Sequence, residues 1–333
     1  MIPSMVDGRG RPLRDVRISL TDHCNLRCTY CMPKDRGALS FLPASEILSF
    51  EEIVRLVSAL SALGLRKVKL TGGEPLLRPR LPELVGALRA SHPDLEINLT
   101  TNGVLLPPVA STLRAAGLTR ITISLDGLRP QGLQAMSGRG DLAVHALDGI
   151  EAALVAGFTP LKINMVVIRG LNDGDVEDMA ARFRTPNTIL RFIEFMDVGT
   201  LNRWRQSDVV PSAEILSRLR QRADLLPVDP AHPGETAKRY RYADGSGEIG
   251  FISSVTEPFC GDCNRLRVTA NGTAHTCLFS AAGPNLRPYL GEGDGARLVA
   301  VLSSLWRERR DQYSVERSHA PARRKLEMFS MGG

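Results

Sequence analysis

The 333-residue sequence lacks any apolar run close to the roughly 20 residues that a helix needs to span a bilayer. Its amino terminus, MIPSMVDGRGRPL, has no apolar segment of the kind that directs secretion. Aromatic residues are scarce, at 5% of the chain, whereas proteins that stack on nucleic-acid bases need exposed aromatic side chains. We therefore expect a cytoplasmic protein whose partners are neither membranes nor nucleic acids.

The charge balance is basic, with a formal net charge of +6. Such a balance suits nucleic acid, a membrane surface or a small polyanion such as a nucleotide, and charge alone does not choose among them. The hydrophobic content of 43% and the charged content of 23% are ordinary for a globular protein. The length is enough for one large domain or two modest ones.

Short β-branched runs alternate with helical patterns from residue 14 to about 220. Six such βα units predict an α/β fold, a partial, open TIM-like barrel that is two units short of closure. In such folds the chemistry gathers at the carboxyl ends of the strands. Ser49 followed by Glu52 predicts a capping box at the start of the first helix. The predicted strands are Val16–Leu20, Lys67–Leu70, Glu96–Leu99, Arg120–Leu125, Leu161–Val167 and Leu190–Phe195, and the predicted helices lie near 49–63, 79–91, 107–116, 141–156, 174–184 and 211–222.

The pattern changes near residue 225. Prolines interrupt the alternation there, and β-like segments follow at 239–242 and 248–254. We expect three parts: an amino-terminal extension over 1–13, the partial barrel over 14–224, and a carboxyl-terminal region over 225–333 that covers the open side of the barrel.

The six cysteines fall into two groups of three. A reducing cytosol argues against disulfides, and structural buried cysteines would be scattered along the chain. The first group is Cys24, Cys28 and Cys31, directly after the first predicted strand. Three thiolates on one loop can hold three irons of a [4Fe–4S] cluster and leave the fourth iron open. A zinc site completed by His23 is the alternative.

Two motifs give this part of the chain a family resemblance. Cys24-x₃-Cys28-x₂-Cys31, with an aromatic residue before the last cysteine, resembles the signature of the radical S-adenosylmethionine (SAM) superfamily. The segment Thr-Gly-Gly-Glu-Pro at 71–75 resembles its GGEP element, where glycines let the backbone approach a ligand. The resemblance implies that the open iron binds SAM and that an electron from the cluster releases a 5′-deoxyadenosyl radical. The implied SAM contacts are Tyr30, Gly73, Ser124 and Met196.

The second group, Cys260, Cys263 and Cys277, again offers three thiols without a nearby fourth. From spacing alone, a Cys₃His zinc site with His275 is the alternative. Taken with the first group, this spacing and the segment Asn-Arg-Leu-Arg at 264–267 resemble the GTP 3′,8-cyclase family. In that family a second [4Fe–4S] cluster also has an open iron, and that iron binds the purine of GTP.

The same resemblance implies a set of GTP contacts and a functional tail. Guanidinium and ammonium groups suit a triphosphate because they supply charge and hydrogen bonds. Lys69 departs from the family pattern, since many relatives carry Arg there, so charge is kept and bidentate geometry is lost. The terminal Gly332-Gly333 matches a family tail that reaches into the active site. The implied GTP contacts are Arg17, Lys69, Thr100, Lys162, Arg265, Leu266 and Arg267.

The resemblance implies a radical SAM lyase for the first step of molybdenum cofactor biosynthesis. Hydrogen abstraction at C3′ of GTP and attack of C3′ on C8 would give (8S)-3′,8-cyclo-7,8-dihydroguanosine 5′-triphosphate. The implied partners are GTP, a downstream cyclic pyranopterin monophosphate synthase and a flavodoxin or ferredoxin type reductant, and a homodimer is allowed. Two rival hypotheses are a radical SAM peptide maturase with an auxiliary cluster and a zinc-stabilised nucleic-acid-binding protein.

Overall fold

Eleven strands form one sheet in the computed structural model, which describes residues 5–33, 40–232, 234–317 and 325–332. In chain order the strands are β1 Asp15–Ser19, β2 Lys67–Thr71, β3 Glu96–Thr101, β4 Arg120–Ser124, β5 Leu161–Val167, β6 Thr188–Glu194, β7 Leu225–Val228, β8 Lys238–Tyr242, β9 Glu248–Ile252, β10 Arg265–Val268 and β11 Ala274–His275. Strands β1 to β6 lie side by side in sequence order and are all parallel. The six predicted strands are therefore confirmed.

Strands from the carboxyl-terminal region extend the parallel sheet on both sides. At one side β10 pairs in parallel with β1, and β11 pairs antiparallel with β10. At the other side β9 pairs in parallel with β6, and the antiparallel strands β8 and β7 follow. Strands β11 and β7 are the two ends of the strand order and do not pair with each other within the described chain. The predicted open α/β barrel is confirmed, and the β-like segments are β8 and β9.

Ten α-helices are present in the described ranges. Ser49 accepts a hydrogen bond from the backbone of Glu52, whose carboxylate accepts one from the backbone of Ser49, so the predicted capping box is confirmed. The predicted helices do not include α4 Pro130–Ser137 or α8 Gly295–Arg307. The helices are α1 Phe50–Ala62, α2 Leu81–Ser91, α3 Ala110–Ala115, α4 Pro130–Ser137, α5 Leu142–Val155, α6 Val176–Arg182, α7 Ser212–Arg220, α8 Gly295–Arg307, α9 Tyr313–Glu316 and α10 Met328–Met331.

One hydrophobic cluster joins the strands to the helices around them. Helix α8 packs on α1 and buries Trp306, whose indole Nε1 donates to the Arg11 carbonyl at 3.1 Å. This contact ties the amino-terminal segment to the carboxyl-terminal region. No helix within the described ranges combines the length and the apolar character needed to cross a membrane.

Candidate active site

Strand alternation lines the inside of the barrel with polar groups. In β5, Leu161, Ile163 and Met165 belong to the hydrophobic core, whereas Lys162 and Asn164 between them line a cavity of about 820 Å³. This follows from the two-residue period of a strand, which sends successive side chains to opposite faces. Polar side chains that other strands contribute to the cavity wall include Arg17, Lys69, Thr100, Ser124, Arg191, Arg265 and Arg267.

The first cysteine group lies on the loop after β1, at the carboxyl end of the sheet. Cys28 accepts backbone hydrogen bonds from Cys31 and Met32, which closes a tight turn. The loop is anchored to α4, because Thr29 and Arg27 donate backbone hydrogen bonds to the last residues of that helix. All three cysteines of this group line the cavity.

The Gly-Gly-Glu segment after β2 packs directly against the residues that precede the first cysteine. Gly73 donates to the Thr21 carbonyl at 2.7 Å, and a Cβ on Gly73 would lie 2.1 Å from the His23 carbonyl oxygen. Only glycine fits this approach. Glu74 is buried and accepts hydrogen bonds from Thr101 and from the backbone of Asn102, which fixes the segment to the end of β3.

The other predicted SAM contacts lie in the wall of the same cavity. Ser124 is the last residue of β4, and Met196 follows β6. Tyr30 donates from its hydroxyl to Asp126 at 2.9 Å. Burial raises the pKa of Asp126 to about 6, against the hydrogen bonds from Val166 and Tyr30, which lower it. The structure thus brings Tyr30, Ser124 and Met196 to one cavity.

The second cysteine group opens on the cavity from the other side of β1. Strand β10 begins two residues after Cys263, and its residue Arg267 is in register with Arg17 of β1. Arg265 reaches back to the Cys263 sulfur at 3.4 Å. All six cysteines therefore line a single cavity, and none forms a disulfide.

One thiol, that of Cys263, differs from the others in its electrostatic surroundings. Burial raises the pKa of Cys24 to about 11 and that of Cys277 to about 12. Burial also acts to raise the pKa of Cys263, but the guanidinium groups of Arg265 and Arg309 lower it to about 6. Cys263 is accordingly a thiolate near neutral pH, and thiolates are the form that binds metals.

Enclosed cations crowd the cavity wall between the two cysteine groups. Burial is the main cause that lowers the pKa of Arg17 to about 10, and repulsion from Arg265 adds to it. Burial and repulsion from Arg191 lower the pKa of Lys162 to about 8, and burial with repulsion from Arg17 lowers that of Lys69 well below its ordinary value. Cations that repel one another in the wall of a cavity favour an anionic ligand, since the ligand relieves their repulsion.

The predicted GTP contacts are brought together, with one difference. Arg17, Lys69, Thr100, Lys162, Arg265 and Arg267 all line the cavity. Within the described residues, Arg17 Nε and Thr100 Oγ1 are buried and have no hydrogen-bond partner, so both are available to a ligand. Leu266 differs, because it is 1% exposed and its side chain packs in the hydrophobic core. A contact from Leu266 would have to come from its backbone.

The tail reaches the sheet beside the cavity. Arg267 Nη1 donates to the carbonyl oxygens of Met331 at 3.1 Å and of Gly332 at 2.7 Å. A Cβ on Gly332 would lie 2.1 Å from the hydroxyl of Thr71, which itself lines the cavity. Gly333 lies outside the described residues.

Sequence reasoning missed Arg191 of β6. Its Nε donates to the Asn164 side chain at 2.9 Å. Burial is the main cause that lowers the pKa of Arg191 to about 10, and repulsion from Arg17 adds to it. The strand sequence Thr-Ile-Leu-Arg-Phe-Ile-Glu contained the signal, because a lone Arg on the inward face of a buried strand points into the barrel.

The cysteine sites fit iron–sulfur clusters by donor chemistry. Within the described residues, no three Cys, His, Asp or Glu side chains are grouped closely enough to enclose a single metal ion. The fit depends instead on three free thiols per group, on their place in the wall of one cavity, and on the absence of a fourth cysteine in the chain for either group. His23, the local alternative ligand, stacks on Phe41 and lies 3.0 Å from Asp22.

The open parallel barrel and its cysteine loop define a radical SAM protein. The family model of the Radical SAM superfamily matches residues 18–183, and that of Molybdenum Cofactor Synthesis C matches residues 188–315. The fold is similar to a crystal structure of Streptococcus suis SuiB bound to S-adenosylmethionine, with a TM-score of 0.57 over 87% of this chain and 68% of that chain. At 13% identity this likeness concerns the fold alone.

Curated relatives resolve the family further. The chain is 47% identical to the GTP 3′,8-cyclase of Acidothermus cellulolyticus, over 98% of both chains. It is 49% identical to the GTP 3′,8-cyclase of Xanthomonas campestris pv. campestris strain B100, over 99% of this chain and 97% of the relative. The chain belongs to the GTP 3′,8-cyclase family of radical SAM iron–sulfur enzymes. The family predicted from the sequence is thereby confirmed.

Proposed function

We propose that this chain converts GTP to (8S)-3′,8-cyclo-7,8-dihydroguanosine 5′-triphosphate, the first step of molybdenum cofactor biosynthesis. The observation that carries the proposal is the single cavity whose wall contains both cysteine groups and the enclosed cations. Cys24, Cys28 and Cys31 would hold one [4Fe–4S] cluster, and a second would be held by Cys260, Cys263 and Cys277. When bound, the first cluster and SAM supply the 5′-deoxyadenosyl radical that removes the hydrogen at C3′ of GTP.

The SAM contacts proposed for this chain are Tyr30, Gly73, Ser124 and Met196. Gly73 presents backbone without a side chain, so a ligand can approach the loop closely. The hydrogen bond to Asp126 fixes the ring of Tyr30 in the cavity wall. These residues orient SAM and take no part in the radical chemistry.

The proposed GTP contacts hold the triphosphate and so position the nucleoside. Arg17, Lys69 and Lys162 supply positive charge, and Thr100 supplies a hydroxyl without another partner in the described chain. The reaction requires C3′ to lie against C8, which is an orientation problem, and positioning of this kind contributes several kcal/mol to catalysis. Arg265, Arg267 and the backbone of Leu266 would bind GTP beside the second cysteine group. The Gly332-Gly333 tail would reach into the active site.

The proposal extends to the organisation of the chain and its partners. Residues 14–224 would form the radical SAM partial barrel, residues 225–333 the carboxyl-terminal region with the second cluster and further substrate contacts, and residues 1–13 an amino-terminal extension. The product would pass to a cyclic pyranopterin monophosphate synthase, and electrons would come from a flavodoxin or ferredoxin type protein in the cytoplasm. Self-association into a homodimer is compatible with this scheme.

Anaerobic incubation with SAM, reductant and GTP, followed by identification of the product by mass spectrometry, tests the proposal. Cys28→Ser should abolish SAM cleavage, because an iron ligand of the first cluster is lost. Cys263→Ser should lose GTP conversion while some uncoupled SAM cleavage remains. Normal GTP conversion by Cys263→Ser would contradict the second-cluster assignment.

Metal analysis of the anaerobically purified protein is an independent test. Two [4Fe–4S] clusters require eight irons per chain, and each set of three Cys→Ser changes should remove about half of the iron. Two zinc ions per chain without iron would contradict both cluster assignments.

A further inference from the structure

Three charged side chains of unassigned role are buried beside the second cysteine group. The side chains of Asp7, Arg11 and Arg309 have exposed fractions of 0%, 2% and 1%. Charges buried so completely are costly unless they are paired and hydrogen-bonded. Asp7 and Arg11 belong to the amino-terminal extension, so a segment remote in sequence from the second cysteine group meets it in space.

Asp7 organises the two arginines. Its Oδ1 accepts hydrogen bonds from the backbone of Arg9 at 2.8 Å and of Arg11 at 2.9 Å, which closes a tight turn. Its Oδ2 lies 2.6 Å from Arg11 Nε and 3.6 Å from Arg309 Nη1. Burial acts to raise the pKa of Asp7, but the hydrogen bonds from Arg11 and Arg9 lower it, so the carboxylate stays charged.

The two guanidinium groups hold the backbone that carries the cysteines. Arg11 Nη1 donates to the Cys260 carbonyl at 2.9 Å and to the Asp311 carbonyl at 2.8 Å. Arg309 Nη1 donates to the Cys263 carbonyl at 2.6 Å. Two of the three cysteines in the group are therefore fixed through their own peptide groups.

Arg11 also has an unused donor. Arg11 lines the cavity, and its Nη2 is buried without a hydrogen-bond partner within the described residues. Buried donors in folded proteins are nearly always satisfied, so an orphan donor in a cavity wall points to a ligand or cofactor. Cluster sulfides and cysteine thiolates are acceptors that such a guanidinium can satisfy.

We infer that Asp7, Arg11 and Arg309 are positioning residues of the second cluster: they fix the Cys260–Cys263 loop, and Arg11 Nη2 donates to a cluster sulfide or thiolate. The inference rests on the proposed assignment of a cluster to Cys260, Cys263 and Cys277. Groups that orient metal ligands from the surrounding shell typically affect metal affinity by about 10- to 100-fold. Loss of the Arg11 contacts should therefore loosen the second cluster and leave the first unchanged.

The test uses two full-length backgrounds reconstituted anaerobically with iron and sulfide. One has Cys24, Cys28 and Cys31 changed to Ser, so it retains the second site, and the other has Cys260, Cys263 and Cys277 changed to Ser. Arg11→Gln is added to each, and the rate of iron release to a chelator is measured. We expect release about 10-fold faster in the second-site background and no change in the first-site background. The electron paramagnetic resonance spectrum of the reduced second cluster should also change.

Arg9→Gln is the matched control, because Arg9 lies in the same turn but is exposed and its side chain bonds to Arg310 instead. It should behave like its parent in both backgrounds. If Arg11→Gln does not fold, Arg11→Lys replaces it, because lysine keeps the charge but lacks the planar guanidinium donors. Iron release should again be faster in the background that retains the second site. Equal release from parent and variant, or equal acceleration in both backgrounds, overturns the inference. If the parent protein that retains only the second site binds no iron, the assignment of a cluster to that site is wrong as well.

Discussion

Arg267 of β10 donates a hydrogen bond to the main-chain carbonyl of Gly332, with 2.7 Å between the two atoms. Both residues are buried, and they are 65 positions apart in the chain. The contact commits one guanidinium nitrogen of a proposed GTP contact to the tail. A change that displaces the tail should therefore also shift the Arg267 side chain and so disturb the proposed GTP site.

Gly332→Ala tests this connection. Gly332 has a φ of +66°, and its Cβ would lie 2.1 Å from the Thr71 hydroxyl, so alanine must displace the tail or the end of β2. We expect GTP turnover to fall by at least about 10-fold, because a small misplacement near the reacting atoms can cost that much or more. The measurement is single-turnover product formation under anaerobic conditions.

Gly293→Ala is the control for backbone strain. Gly293 also has a positive φ, of +87°, but a Cβ there would meet nothing within 4 Å. Both variants should lose about 1 kcal/mol of stability from the left-handed conformation. If Gly293→Ala reduces turnover as much as Gly332→Ala, the loss reflects general strain and the tail has no special role.

Affinity for GTP should fall as the pH rises through about 8. Burial and repulsion from Arg191 lower the pKa of Lys162 to about 8, so its charge is lost above that pH. Burial also lowers the pKa of Lys69, which acts in the same direction. The GTP dissociation constant, measured by anaerobic calorimetry from pH 6.5 to 9, should therefore increase towards high pH.

Lys162→Arg isolates the contribution of Lys162, since a guanidinium remains charged throughout that range. The dependence on pH should become shallower in this variant, while affinity at pH 6.5 changes little. An identical pH profile in wild type and Lys162→Arg would show that the titrating group is elsewhere.

The parts of this fold that could be predicted are those encoded over short stretches. The bounds predicted for β5, Leu161–Val167, are those observed, because its β-branched run is local. The capping box of Ser49 and Glu52 is equally local. The spacing of the cysteines identified both groups, and the family resemblance supplied the small molecules that each proposed cluster would bind.

What the sequence left hidden depends on contacts between distant segments. Strand β10 pairs with β1, which is 250 residues earlier in the chain, and no local pattern indicates that pairing. Arg11 and Arg309 look like ordinary surface cations in the sequence, yet they meet at the second cysteine group. Helix α4 was missed because it is short and lies between Pro130 at its start and Gly138 after its end, a pattern that resembles a loop.

Tyr30→Phe should weaken SAM binding moderately. The change keeps the ring and removes the hydroxyl that donates to Asp126 at 2.9 Å. This bond orients the ring within the protein and does not itself contact SAM, so we expect SAM binding to lose only about 1 kcal/mol, which corresponds to about a fivefold increase in the SAM dissociation constant. Equilibrium binding of SAM to the reconstituted protein measures the effect, and GTP affinity serves as the internal control. A larger effect on GTP than on SAM would contradict the assignment of Tyr30.

Arg191→Met should weaken GTP binding without destabilising the ligand-free protein. Burial and repulsion from Arg17 lower the pKa of Arg191, so its removal relieves strain among the enclosed cations and offsets the lost bond to Asn164. A charged hydrogen bond contributes about 1.5–3 kcal/mol, so the GTP dissociation constant should rise by about 10- to 100-fold. The melting temperature should be no lower than in wild type.

Arg184→Met, which removes a cation paired with Asp244 outside the cavity, should leave GTP affinity unchanged. Unchanged GTP affinity in Arg191→Met would exclude Arg191 from the binding site.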